Sequence, residues 1–172
     1  MPTHPISALI DDAEREDGRT NLDTMLINST DTGPDHSRML FTRTLNKHGH
    51  DISVLARMGP KQSAFTDLVV PLTRGAVELA DVSAFKGIKF AVRGQGSYRI
   101  LIERYGTRRS SWYTASFTGD AKWRTIRVPF AAFQSKDSTS LPPLHELRAL
   151  HFELARPAGA DAWLTLDDLK LF

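Results

Sequence analysis

Apolar residues occupy alternate positions through most of the second half of the chain. In Gly87–Arg93, Ile88, Phe90 and Val92 fall on one face, and Lys89 and Arg93 on the other. Tyr98, Ile100 and Ile102 share one phase of the next segment, with Arg99 and Glu103 on the opposite one. Tyr113, Ala115 and Phe117 point one way and Trp112, Thr114 and Ser116 the other, and Ile126, Val128 and Phe130 extend the pattern. Successive side chains of a strand point to opposite faces, so a period of two marks strands with one buried face. No apolar period of helical length interrupts them.

Earlier in the chain, Arg38–Leu45 and Asp51–Met58 flank the loop NKHGH and predict a hairpin. Ala8–Asp12 and Phe65–Leu72 read as further strands, with Pro71 marking an end or edge. Leu150, Phe152 and Leu154 supply another strand face. In the closing WLTLDDLKLF, Leu164 and Leu166 are out of phase with Leu169 and Leu171, and a β-bulge at Asp167-Asp168 restores both pairs to the core. Residues 28–35 read as a polar loop, QSKDSTSLPP as a disordered-looking loop, and 145–147 as a short helical turn. Gly94-Gln95-Gly96 lacks the third glycine and following helix of a phosphate loop, and predicts a hairpin turn instead. About nine or ten short strands with frequent turn signals predict an all-β fold. The expected architecture is a jelly-roll β-sandwich of two antiparallel sheets, residues 8–172, behind a loose leader over residues 1–7. Its first and last strands are expected side by side.

Composition narrows function mainly by exclusion. A chain of 172 residues fits one domain, and a net charge of +2 gives no basic tract for nucleic acid. Three arginines near one turn, Arg104, Arg108 and Arg109, read as solvated surface. Without cysteine there is no disulfide or thiolate chemistry. The N-terminus has neither the basic nor the apolar region of a signal peptide, which leaves the cytoplasm as the default location. No apolar run approaches the ~20 residues that would cross a bilayer, so membrane insertion is not expected.

Two groups of residues carry candidate chemistry. Arg99, Glu103, Tyr105, Trp112 and Thr114 are expected on one outer sheet face. Rings flanked by hydrogen-bonding groups suit the C–H faces and hydroxyls of carbohydrate, and the same set suits a protein partner. The acids near the two ends, Asp12 and Glu14 with Asp168, would meet if the terminal strands pair. Clustered carboxylates then call for a hard cation, and a structural calcium is the candidate. The same acids are the only basis for a glycoside hydrolase reading. His48 and His50 have metal-ligand spacing but read as loop residues. No nucleophile or metalloprotease motif is present, so the chain reads as non-catalytic.

Several segments together resemble the complex I intermediate-associated protein family: LIDDAE (Leu9–Glu14), VSAFKGIKFAVRGQGSYRI (Val82–Ile100), WYTASF (Trp112–Phe117), KWRTIRVPFAAF (Lys122–Phe133) and LTLDDLKLF (Leu164–Phe172). Ala13 replaces the family's usual aromatic, and Leu22 stands near its usual tryptophan. The resemblance implies a galactose-binding-like sandwich acting as a binding or assembly module for the respiratory NADH dehydrogenase, or as an accessory domain of a larger hydrolase. A carbohydrate-binding module using the outer face is the alternative.

Overall fold

The structure is a computed structural model and describes residues 1–75 and 77–172. One layer contains seven strands: β1 (Thr3–Pro5), β3 (Ile27–Thr30), β6 (Thr66–Pro71), β7 (Leu79–Asp81), β9 (Gly96–Arg104), β10 (Tyr113–Gly119) and β12 (Leu147–Leu154). The other contains six: β2 (Leu9–Asp11), β4 (Arg38–Asn46), β5 (Gly49–Arg57), β8 (Gly87–Gly94), β11 (Arg124–Pro129) and β13 (Asp161–Leu171). The expected jelly-roll sandwich is what forms.

In the seven-stranded sheet the main run is β10-β9-β12-β6-β3, and in the six-stranded sheet it is β11-β8-β13-β5-β4. The alternating apolar sets of both sheets meet between the layers. Phe90 packs edge-on against Phe117 and Phe152, at centroid separations of 5.0 and 5.3 Å, and Tyr98 stacks on Phe117 at 5.4 Å. Edge-to-face and offset contacts of this kind suit the ring quadrupoles. The expected bulge is present: the pairing of β13 with β8 shifts register between Asp167 and Lys170, Asp168 adopts a φ of 50°, and Leu164, Leu166, Leu169 and Leu171 are all buried. Past the bulge, β13 pairs with β2, so the two ends of the fold do meet.

Five sequence expectations differ from the structure. Gly94-Gln95-Gly96 joins strands of different sheets, and so forms a corner and not a hairpin. A side chain at Gly94 would meet the Tyr98 hydroxyl at 2.6 Å, so glycine is what lets the chain turn over that ring. The leader is tied into the fold, because Thr3–Pro5 pairs in parallel with β7. The polar loop contains β3, which takes its partner from the strongly apolar β6 and not from its own weak pattern. The 134–140 loop is anchored by bridges between Thr114 and Gln134 and between Ser135 and Ser138, and no helical turn forms at 145–147.

Candidate functional site

Strand register places three rows of side chains on the outer face of the seven-stranded sheet. One row runs Ser116–Arg99–Glu153–Asp67–Ser29, the next Thr114–Leu101–His151–Val69–Ile27, and the third Glu103–Ala149–Pro71. The inward residues of the same strands fill the core, so core packing fixes how the outer rows line up.

The polar members of these rows form one connected network. Arg99 donates from Nε and Nη2 to the two carboxylate oxygens of Glu153, at 2.7 and 3.0 Å. Arg109, carried by the short 3₁₀ turn Arg109–Ser111, reaches across to hold both Asp67 oxygens and also donates to Glu153. His151 lies between Asp67 (Nδ1 to Oδ2, 2.9 Å) and Glu103 (Nε2 to Oε2, 2.8 Å). Arg148 then pairs with Glu103 through Nε at 3.5 Å.

Carboxylates face both imidazole nitrogens, and ionised carboxylates only accept hydrogen bonds, so both nitrogens must donate. Only the imidazolium does that. Burial opposes the charge on His151, but the hydrogen bonds and charges of Asp67 and Glu103 outweigh it and raise its pKa above the ordinary histidine value. Trp112 covers the imidazole with its ring centroid 4.7 Å away, and its indole N–H donates to the Thr107 carbonyl at 3.2 Å. The Arg109 guanidinium also lies 4.0 Å from the Phe65 ring centroid, a cation–π contact that holds it over the face.

A groove of about 440 Å³ opens beside this network. Its floor is apolar, from Ile27, Val69, Pro71 and Ala149. Glu103 and Arg148 stand on one side, with Arg19, Asp23 and Arg74 among the remaining lining residues. An apolar base bounded by fixed hydrogen-bonding groups matches a sugar ring, which offers C–H faces and a rim of hydroxyls.

Of the five outer-face residues expected from sequence, the network joins Arg99, Glu103 and Trp112. Thr114 shares the His151 row, and Tyr105 is exposed in the loop after β9. The reading missed Asp67, Arg109, Arg148, His151 and Glu153. A signal for two of them was present: in LRALHFEL, His151 and Glu153 alternate with Leu150, Phe152 and Leu154, and all five are buried. Arg109 is not solvated surface but a clamp on two buried acids.

Of the acids expected to hold calcium, Asp12, Glu14 and Asp168, the first two have local hydrogen-bond partners. Glu14 accepts hydrogen bonds from the His50 backbone N–H and its Nδ1, which hold its pKa below the ordinary carboxylate value. Asp12 accepts from the Glu14 backbone N–H, while Asp11, buried next to it, is clamped by both Nη groups of Arg43. Among the described residues no three His, Cys, Asp or Glu side chains converge as a metal requires. Strand pairing brings the terminal segments together, while Glu14, Asp12 and Asp11 each have local partners of their own.

No family model matches the chain, and no curated protein matches it. Solved structures do. The family 11 carbohydrate-binding module of the cellulosomal cellulase Lic26A-Cel5E of Clostridium thermocellum superposes with a TM-score of 0.70 at 20% identity, covering 97% of this chain and 95% of that one. A family 11 module from the same organism, in complex with a β-1,3-1,4-mixed-linked tetrasaccharide, gives 0.65 at 20% identity over 86% of this chain and 88% of that one. The family 30 module of a cellulosomal cellulase of C. thermocellum gives 0.54 at 15% identity, covering 83% and 85%. The fold is therefore that of carbohydrate-binding modules, which overturns the resemblance to the complex I intermediate-associated proteins. The segments behind that resemblance are mainly turn and core positions, which many sandwiches share.

Proposed function

We propose that this chain is a non-catalytic carbohydrate-binding module whose glycan lies across the outer face of the seven-stranded sheet. The observation that carries the reading is the groove: apolar along Val69, Pro71 and Ala149 and edged by Glu103 and Arg148, it adjoins a prearranged network on a fold similar to family 11 modules. The Ile27–Val69 and Pro71–Ala149 positions receive the sugar's C–H face. Glu103 and Arg148 orient its hydroxyls, and Trp112 and Arg99 border the other side of the network. Because His151, Asp67 and Arg109 fix one another, the face is set before the ligand arrives, which lowers the ordering cost of binding.

Affinity electrophoresis and calorimetry against soluble glycans test this, with mixed-linked β-glucan, cellulosic and uronic oligosaccharides in the panel. Binding to at least one glycan, weakened tenfold or more by Glu103→Gln or Trp112→Ala in chains of unchanged circular dichroism, is the expected outcome. A panel without any response, or binding untouched by both substitutions, overturns the assignment.

A further inference from the structure

The network is layered, with its acids beneath its bases. Side-chain exposure is 0% for Asp67, 4% for Glu153 and 17% for Glu103, against 27% for Arg109, 48% for Arg99 and 43% for Arg148. The far side of the groove repeats the order: Arg19 and Arg74 both pair with Asp23 and both are more exposed than it is. Chain geometry produces this arrangement. Asp67 and Glu153 lie on adjacent strands within the sheet, so their short side chains stay close to it, while the longer arginines fold over them. An approaching molecule meets guanidinium groups first. Five arginines here stand against four carboxylates, and the buried imidazolium of His151 adds to the positive side.

The arginines also keep donors in reserve. A guanidinium carries five N–H donors. Arg148 comes nearest to a carboxylate at Glu103, through Nε at 3.5 Å, longer than a charge-assisted hydrogen bond. Planar guanidinium groups bind carboxylates in paired, charge-assisted hydrogen bonds that a neutral hydroxyl does not match.

We propose that the groove selects an acidic glycan, a uronate-bearing chain whose carboxylate is taken by Arg148 or Arg74 while its ring lies on Val69, Pro71 and Ala149. The inference rests on the reading of this face as a glycan site and names the class of sugar. The guanidinium groups lie over the acids and are more exposed than they are, and the ligand carboxylate takes the donors the acids leave over.

Calorimetry on the intact chain tests it with four probes: an oligogalacturonate, the same oligosaccharide with its carboxyls reduced to alcohols, a mixed-linked β-glucan oligosaccharide, and a sulfated galactan oligosaccharide. The oligogalacturonate is expected to bind at least tenfold tighter than its reduced counterpart, and the advantage should shrink as salt screens the charges. Arg148→Ala or the more exposed Arg74→Ala should remove most of that advantage while leaving the melting temperature nearly unchanged. Equal binding of the reduced sugar, or preference for the neutral glucan, overturns the acidic assignment and leaves the glycan reading standing. Tighter binding of the sulfated galactan moves the anion to a sulfate ester and overturns the uronate. Failure of all four to bind removes the glycan reading itself.

Discussion

On the outer face of the seven-stranded sheet, Asp67, His151 and Glu153 are buried among arginines. On the outer face of the six-stranded sheet, Leu40, Leu55 and Trp163 form a single cross-strand row, and both leucines are exposed. The neighbouring row there, Thr42–Ser53–Thr165–Arg93, ends with the Arg93 guanidinium 5.1 Å from the Trp123 ring centroid. Strand spacing and core are shared by both faces, so folding alone does not require the charged arrangement. Burying ionised groups carries a desolvation cost that good pairing only about offsets, and apolar residues of similar volume commonly do as well. The cluster of acids, imidazole and arginines lies on one face, and that is the face proposed above for recognition.

The comparison breaks most readily at Asp67. Asp67→Ala leaves Arg109 and the buried His151 short of a counter-charge and should lower the unfolding free energy by about 3–5 kcal/mol. Urea denaturation measures it, and a loss no greater than that of Leu55→Ser would erase the distinction between the faces.

A buried acid away from either face gives a second reference. Asp31 accepts hydrogen bonds from the backbone N–H groups of Ser37 and Phe65, at 3.0 Å each, and from the Ser37 hydroxyl, and it faces Lys61 at 3.3 Å. Burial opposes its charge, but these partners prevail and hold its pKa at about 2. Because the folded value is depressed, Asp31 stabilises the fold above the ordinary carboxylate range, and that contribution is lost as pH falls towards 2. Asp31→Ala should cost roughly 2 kcal/mol, less than Asp67→Ala, because it strands donors but no buried cation pair. Thermal melts at neutral pH rank the two.

Next in size is a pH effect. His151 has a raised pKa, so its stabilising contribution is complete below the ordinary histidine value and declines as pH rises through the raised one. Asp167, beside the opposite face, works in a lower window. Burial, with Asp168, Asp51 and Glu14 nearby, raises it to about 6, so stability is given up as pH climbs from the ordinary carboxylate value to about 6. In stability–pH curves, His151→Gln should remove the decline above about pH 6.5 and leave the lower one intact. A variant curve parallel to the parent's throughout would contradict the charged imidazole. The smallest effect belongs to Leu40→Ser and Leu55→Ser, each expected within about 0.5 kcal/mol of the parent in the same melts.

How much of this the sequence reveals follows from where the information lies. Period-two patterns in Ile88–Phe90–Val92 and Leu150–Phe152–Leu154 are local, and they predict the layers and even the bulge at Asp167-Asp168. Which strand lies beside which is not local. Gly94-Gln95-Gly96 has the composition of a hairpin, and only the distribution of β8 and β9 between two sheets makes it a corner. The site suffers most from this limit. Arg99 and Glu103 are visible as outward residues of one strand, but Asp67 and His151 are 84 positions apart and Arg109 comes from a loop. Nothing near Arg109 in the sequence announces that it spans two acids on other strands. The terminal acids show the same limit, since pairing of β2 with β13 sets backbone proximity, while the partners His50 of Glu14 and Arg43 of Asp11 come from other strands.

The central claim, that glycan is bound on the network face, is tested most directly by amide chemical-shift mapping of the labelled chain with mixed-linked and uronic oligosaccharides. The account predicts concentration-dependent shifts at Ile27, Val69, Glu103, Arg148 and Ala149, with Leu40, Leu55 and Trp163 unmoved. Shifts confined to the Leu40–Leu55–Trp163 row would contradict it.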